Sequence, residues 1–509
     1  MTISPRLLPY DHLNQQLESQ VHPADWTNPV PNGTYHLVVI GAGTAGLVAA
    51  AGAAGLGAKV ALIERDLMGG DCLNSGCVPS KALLSAAKIV ASVRQASQFG
   101  VEIEGNVRVN FPLVMQRLRR LRASISPHDS ARRFQSLGVD VFFGQASLTG
   151  RDTVEVDGVP LRFRRAVIAT GSRPSLPSIP GLQNANVLTS DTLFSLTELP
   201  RRLVVIGGGP IGTEMAQAFA RFGAEVTLIE SGPRLLPKDD PEAVAVVTRV
   251  LTEEDGVRLL LNTEILQVSS TAVEKSLTIR QNQQQLNITC DAILVAAGRT
   301  PRLEALQGDH AGVRMDPKLG VLVNDFLQTS NPRIYASGDV CSAFRFTHAA
   351  DFMSRIVIQN SLFLGRARFS RLLIPWCTYT SPEIAHVGMT PEDAAGQGIA
   401  ITTVTQPFSG NDRAILESRE AGFVRLHLKQ GTDRILGATI VSEHAGDLIS
   451  ELTVAMSVGA GAGKIASIIH PYPTQADAIR RLGDTCNKRR LTPLIQRLFR
   501  TWLTWRPFW

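Results

Sequence analysis

The stretch Leu37-Val38-Val39-Ile40-Gly41-Ala42-Gly43-Thr44-Ala45-Gly46 is a four-residue apolar run that flows into a glycine triplet. An unbroken apolar run of this length marks a strand buried on both faces. Gly41 permits a tight turn, Gly43 lets backbone amides approach a pyrophosphate, and Gly46 lets the following helix pack closely on the strand. The helix N-terminus then faces the phosphate charge. Val60-Ala61-Leu62-Ile63 supplies a second strand and ends on Glu64, about 20 residues beyond Gly43, where a carboxylate accepts a ribose hydroxyl.

The same grammar returns at Leu203-Val204-Val205-Ile206, runs into Gly207-Gly208-Gly209-Pro210-Ile211-Gly212, and closes on Val226-Thr227-Leu228-Ile229-Glu230. Gly207, Gly209 and Gly212 repeat the roles of the first triplet, and Glu230 that of Glu64. Two dinucleotide sites on one chain imply that one nucleotide delivers a hydride and the other passes it on, so a nicotinamide and a flavin are the natural pair. Glu230 favours the free ribose hydroxyl of NADH, while Arg234 keeps the 2′-phosphate of NADPH open.

A chain of 509 residues exceeds one core and should hold about three domains. Its 44% hydrophobic and 19% charged residues are globular rather than disordered. A net charge of +6 gives no ground for a nucleic-acid partner. The six cysteines (Cys72, Cys77, Cys290, Cys341, Cys377, Cys486) are the sparse usage of a cytoplasmic enzyme. Residues 1–20 hold Asp11 and Glu18 where a signal peptide needs an apolar run. The apolar stretches 41–63 and 452–469 are cut by Lys59 and Lys464 and are not read as membrane spans.

Between the two folds lies Gly69-Gly70-Asp71-Cys72-Leu73-Asn74-Ser75-Gly76-Cys77-Val78-Pro79-Ser80-Lys81. With this cysteine pair the chain resembles the class I pyridine nucleotide-disulfide oxidoreductases, the family of dihydrolipoyl dehydrogenase, glutathione reductase and mercuric reductase, over residues 35–487. The resemblance implies FAD and a redox disulfide beside it, with Cys77 the flavin-side thiolate and Cys72 the exposed thiol that attacks substrate. Four intervening residues set the sulfurs about one and a half helical turns apart, so the helix start must distort to join them. Lys81 would lie near the flavin ring, paired with Glu214.

Other landmarks follow in order. Ile168-Ala169-Thr170-Gly171 and Val295-Ala296-Ala297-Gly298 resemble the junctions bordering the nucleotide domains, which makes Thr170, Gly171 and Gly298 cofactor-side residues. Ile334-Tyr335-Ala336-Ser337-Gly338-Asp339 matches the segment whose aspartate bonds the ribityl chain. Thr347-His348-Ala349-Ala350 resembles a helix start near the flavin, where the His348 side chain reads as a cap or core group. From Tyr379-Thr380-Ser381-Pro382-Glu383-Ile384-Ala385 the chain resembles the interface domain by which the family forms homodimers.

Two departures bear on the substrate. Disulfide reductases of the family carry His-Pro-Thr and a later glutamate; aligning Pro473-Thr474 here puts Tyr472 on the histidine and Asp477 on the glutamate. A phenol with a pKa near 10 is a poor base at neutral pH. Mercuric reductase also has tyrosine there, so a soft metal ion enters as substrate, although no Cys-x-x-Cys precedes Tyr35 and only Cys486 lies near the end. His470 offers an alternative base and reads more readily as a structural turn residue. Asp71 stands where a small hydroxyl residue is usual, and would raise the neighbouring thiol pKa unless a cation offsets it.

The expected fold is α/β: two Rossmann-like dinucleotide-binding domains, for FAD and NAD(P), plus a C-terminal α+β dimerisation domain. The boundaries are an arm or linker at 1–34, FAD domain 35–186, NAD(P) domain 187–301, FAD domain again 302–366, interface domain 367–487 and a tail 488–509. That tail interleaves Arg489, Arg490, Arg497, Arg500 and Arg506 with Leu494, Leu498, Phe499, Trp502, Trp505 and Trp509, a basic amphipathic helix suited to a membrane surface or to its own dimer. The expected protein is a cytoplasmic homodimer, free or peripheral to a membrane, that uses FAD and NADH or NADPH to reduce a soft metal ion or small disulfide. Two alternatives stay open: a dihydrolipoyl dehydrogenase-like enzyme, and a membrane-docked flavoprotein that senses redox state without turnover.

Overall fold

In the computed structural model, which describes residues 6–271, 274–489 and 491–505, the first apolar run lies in strand Thr34–Ile40. It pairs in parallel with Val60–Glu64 on one side and Val159–Ile168 on the other. Leu37 and Val39 enter one core and Val38 and Ile40 the opposite one, so both faces are covered, as a continuous apolar run requires. Seven strands form this sheet, with Val139–Phe143 at one edge. The late strand Ile334–Ala336 returns to pair with Val159–Ile168, so the chain leaves this domain and comes back to complete it.

Arg202–Ile206 centres the second nucleotide sheet, whose parallel order is Arg258–Leu260, Glu225–Ile229, Arg202–Ile206, Ala292–Val295. An antiparallel three-stranded sheet of Glu264–Ser270, Lys275–Gln281 and Gln284–Cys290 follows it. The C-terminal region is a five-stranded antiparallel sheet ordered Trp376–Thr378, Glu383–Gly388, Ile435–Ser442, Phe423–Lys429, Ile401–Pro407. Helices Ala445–Ser457 and Asp477–Arg489 pack on it.

Two expectations change. The segment 234–255, expected inside the 187–301 domain, clusters with the C-terminal region from 373 onward. Its helix Pro241–Arg249 is drawn there by the buried Arg425 guanidinium, which pairs with Asp240 at 2.7 Å and Glu242 at 2.6 Å. Asp239 also accepts from the Trp376 indole at 2.8 Å. Nor do residues 6–34 behave as a linker: helix His12–Val21 buries Leu17 and Val21 in the first core. Asp11 pairs with Arg119 at 2.6 Å, the Trp26 indole donates to the Val141 carbonyl at 3.2 Å, and Asn28 exchanges two bonds with Phe143 at 2.7 and 2.8 Å.

The stretch 70–94 is long and apolar enough to cross a membrane by composition, yet it is two helices broken at Ser75 and Gly76. The tail forms helix Pro493–Trp505; Arg490, Arg506 and Trp509 lie outside the described residues.

Because Leu17 is fully buried, Leu17→Ala should destabilise the protein by about 2–4 kcal/mol, read as a lowered urea midpoint with an unchanged slope. A surface arm would leave the midpoint where it is.

Candidate active site

Both glycine loops have the same construction. Gly41 donates to the Ile63 carbonyl at 2.8 Å and Gly207 to Ile229 at 2.9 Å, so each loop turns off the end of its strand. A Cβ at Gly46 would strike the Gly41 carbonyl, and one at Gly212 the Gly207 carbonyl. Gly43 and Gly209 are the N-caps of helices Thr44–Gly55 and Pro210–Phe222, and a Cβ at Gly209 would meet nothing within 4 Å. Each terminal acid reaches back to its loop: Glu64 accepts from the Ala42 amide at 2.7 Å and Glu230 from Gly208 at 2.6 Å. Burial pushes the Glu64 carboxyl up, which its backbone bonds partly offset. Bare amides at two helix N-termini, with no side chain in the way, suit two pyrophosphates.

The cysteine turn packs directly on the first loop. Gly69 and Gly70 both have positive φ (+89° and +56°), and a Cβ at Gly70 would collide with Gly43. Helix Gly70–Asn74 carries Cys72; the chain breaks at Gly76 (φ −129°, ψ −112°) and restarts as helix Cys77–Arg94. That break is the distortion the spacing demanded, and it brings the two sulfurs within hydrogen-bonding reach of each other.

Their environments differ. Cys77 is pulled down to about 6, chiefly by its bond from the Cys72 thiol, then by the Thr347 hydroxyl at 3.3 Å and the charge of Lys81. Cys72 is pushed up by donating to Cys77 and by burial. Lys81 in turn pairs with Glu214 at 2.9 Å. In this chain Cys77 is exposed and Cys72 is intermediate in exposure.

Sequence reasoning missed Arg299. Its guanidinium, 15% exposed, pairs with Asp71, receives support from Ser172 at 2.7 Å and lies 3.8 Å from Asp339. Arg299 is thereby the cation that offsets the Asp71 carboxylate next to Cys72. Asp339 accepts from Ser172 at 2.7 Å, and burial holds its carboxyl above the ordinary range. Thr170 donates to the Arg302 carbonyl at 2.7 Å, and Gly171 and Gly298 take positive φ beside it. The signal for Arg299 was its place directly after the Gly298 junction.

The C-terminal pair is not joined. Tyr472 donates to Asp412 at 2.8 Å, which pushes the phenol up, while Asp477 is taken by Arg480 at 2.8 Å and Arg481 at 2.5 Å. Two arginines one turn along the same helix outcompete a phenol for that carboxylate. His470 has both ring nitrogens engaged, with Ile468 at 2.9 Å and Glu451 at 2.8 Å, and its side chain is only 6% exposed, so it is held as a structural turn residue. Arg234 is bound to the carbonyls of Pro237 and Asp239 at 2.6 and 2.8 Å.

Residues 35–354 match the pyridine nucleotide-disulphide oxidoreductase family, and residues 374–482 match its dimerisation domain. The chain belongs to this family. A mercuric reductase from Staphylococcus aureus is 35% identical over 90% of this chain and 83% of its own. A dihydrolipoyl dehydrogenase from Mycoplasma pneumoniae is 34% identical over 89% of this chain and 98% of its own. Among solved structures, LpdA from Mycobacterium tuberculosis superposes with a TM-score of 0.80 at 26% identity, covering 90% of this chain and 99% of that one. The HOCl-induced flavoprotein disulfide reductase RclA from Escherichia coli, solved as a Cu(II) complex, gives 0.78 at 27%, covering 89% and 100%. FAD and NAD(P)H are the cofactors of this flavoprotein oxidoreductase, and the two glycine loops fit them.

Removing the Lys81 charge should raise the Cys77 pKa. In Lys81→Met, the pH midpoint for iodoacetamide alkylation of the reduced protein should move up from about 6 by on the order of half a unit, with the thiolate lost below the new midpoint.

Proposed function

We propose that this flavoprotein uses NADH to reduce a soft metal ion at Cys72 and Cys77, in the manner of a mercuric reductase. The observation that carries the reading is Tyr472. It stands where disulfide reductases of the family hold an acid/base histidine, and its phenol is kept protonated by Asp412. Reducing a disulfide substrate requires a proton for the leaving thiolate, which a phenol so held supplies poorly. A two-coordinate soft metal ion needs thiolates alone.

Bound FAD supplies the two-electron relay between a nicotinamide hydride and the sulfur pair. The chain does the rest. Lys81, oriented by Glu214, and the Thr347 hydroxyl hold Cys77 as thiolate. Cys72 keeps its proton until metal capture displaces it. Arg299 pairs with Asp71, so the carboxylate next to Cys72 is offset by a cation. The overall balance is NADH and Hg(II) to NAD⁺, a proton and Hg(0). For the nicotinamide, Glu230 supports NADH, since a 2′-phosphate would meet a carboxylate. Arg234 is occupied by its own loop carbonyls.

Two measurements check this. Under anaerobic conditions the protein is reduced with one equivalent of NADH and offered Hg(II), Cu(II), lipoamide or glutathione disulfide. Hg(II) should restore the oxidised flavin spectrum, and Cys72→Ser should lose that reoxidation while still accepting reducing equivalents from NADH. Reoxidation by lipoamide alone would favour the dihydrolipoyl dehydrogenase reading, which rests on relatives of nearly equal identity. Separately, kcat/KM for NADH should exceed that for NADPH by roughly tenfold or more, and Glu230→Gln should narrow the ratio.

A further inference from the structure

The last helix presents a face that the redox chemistry does not use. Along Pro493–Trp505, Leu494, Leu498, Phe499, Trp502, Leu503 and Trp505 are 54 to 83% exposed. At about 100° per residue these six fall on one half of the helix circumference. Gln496, Arg497, Arg500, Thr501 and Thr504 fall on the other half.

The charge is just as one-sided. From residue 488 to the end the sequence holds six basic residues and no acidic one, which equals the net +6 of the whole chain. Residues 1–487 are therefore electrically balanced, and all the excess positive charge sits on this segment. Among the described residues, neither Arg497 nor Arg500 meets a carboxylate within ion-pair distance. An exposed apolar half flanked by unneutralised arginines complements a surface that is itself negative at its rim and apolar beneath.

We propose that this helix is a peripheral anchor seated on an anionic phospholipid surface, with its Leu, Phe and Trp side chains among the acyl chains and its arginines at the headgroups. Thirteen residues span about 20 Å, short of the ~30 Å hydrocarbon core, so the helix lies in the plane of the surface and does not cross it. Tryptophan at 502 and 505 suits the headgroup level, where an amphipathic ring is half wet. A homodimer carries two such helices, and the second binds at raised effective concentration once the first is seated. The reading does not depend on which acceptor the enzyme reduces.

Flotation of the full-length holoprotein with phosphatidylcholine vesicles, with and without phosphatidylglycerol, tests it. The expected result is recovery with the anionic vesicles roughly tenfold or more above the zwitterionic ones, falling as salt is raised. The chain ended at Asn487 should stay with the unbound protein while keeping its NADH-dependent reduction of a dye acceptor. The double variant Arg497→Glu/Arg500→Glu, which keeps the apolar face, should also fail to float. Equal recovery with both vesicle types, or none with either, overturns the proposal. So does a truncated chain that floats as well as the full one, or one whose only change is a dimer mass falling to that of a monomer, which would make the helix a subunit contact.

Discussion

The contact between Gly70 and Gly43 is the constraint on which the site rests. A Cβ at Gly70 would collide with Gly43, so the backbone of the cysteine turn lies against the backbone of the first phosphate loop. The Gly69 amide donates to the Ala42 carbonyl at 2.8 Å and fixes the register of that approach. Everything downstream inherits its position from here. The short helix leaves at a set angle, Gly76 breaks it, and the next helix begins with Cys77. A redox pair must stand at a fixed distance from its cofactor. This fold meets that demand by making one loop serve as floor for the other.

Charge is arranged around the same point in two separate systems. Lys81 and Glu214 act on Cys77, and Arg299 acts on Asp71 and Asp339. Each pairs a cation with a carboxylate in a partly buried setting, where an unpaired member would be costly. The division lets one sulfur be held as thiolate while an unusual acid sits one residue before the other. Asp71 is tolerated because the chain supplies its counter-ion from a junction more than two hundred residues away.

Much of this was legible in the residues. Apolar runs ending in glycine triplets gave both nucleotide sheets, since a strand buried on both faces must be apolar throughout and a loop that meets phosphate must be bare. The cysteine spacing required a break, and the break is present. The rest depended on contacts between distant segments that no local pattern encodes. Arg299 as partner of Asp71, Asp412 as partner of Tyr472, and the recruitment of 234–255 by Arg425 are of this kind. The polar look of residues 1–34 concealed a helix because only Leu13, Leu17 and Val21 of its apolar stripe face inward, too few for periodicity to speak.

That N-terminal segment has an effect beyond packing. Val139–Phe143 is the outermost strand of the large sheet, and a free rim of amides and carbonyls invites another chain to zip onto it. Trp26 occupies the Val141 carbonyl, and the Asn28 amide meets both backbone groups of Phe143 as a neighbouring strand would. Two side chains thus close the sheet without adding a strand. The flavin domain thereby carries its own guard against edge-to-edge pairing, made from residues outside its sheet.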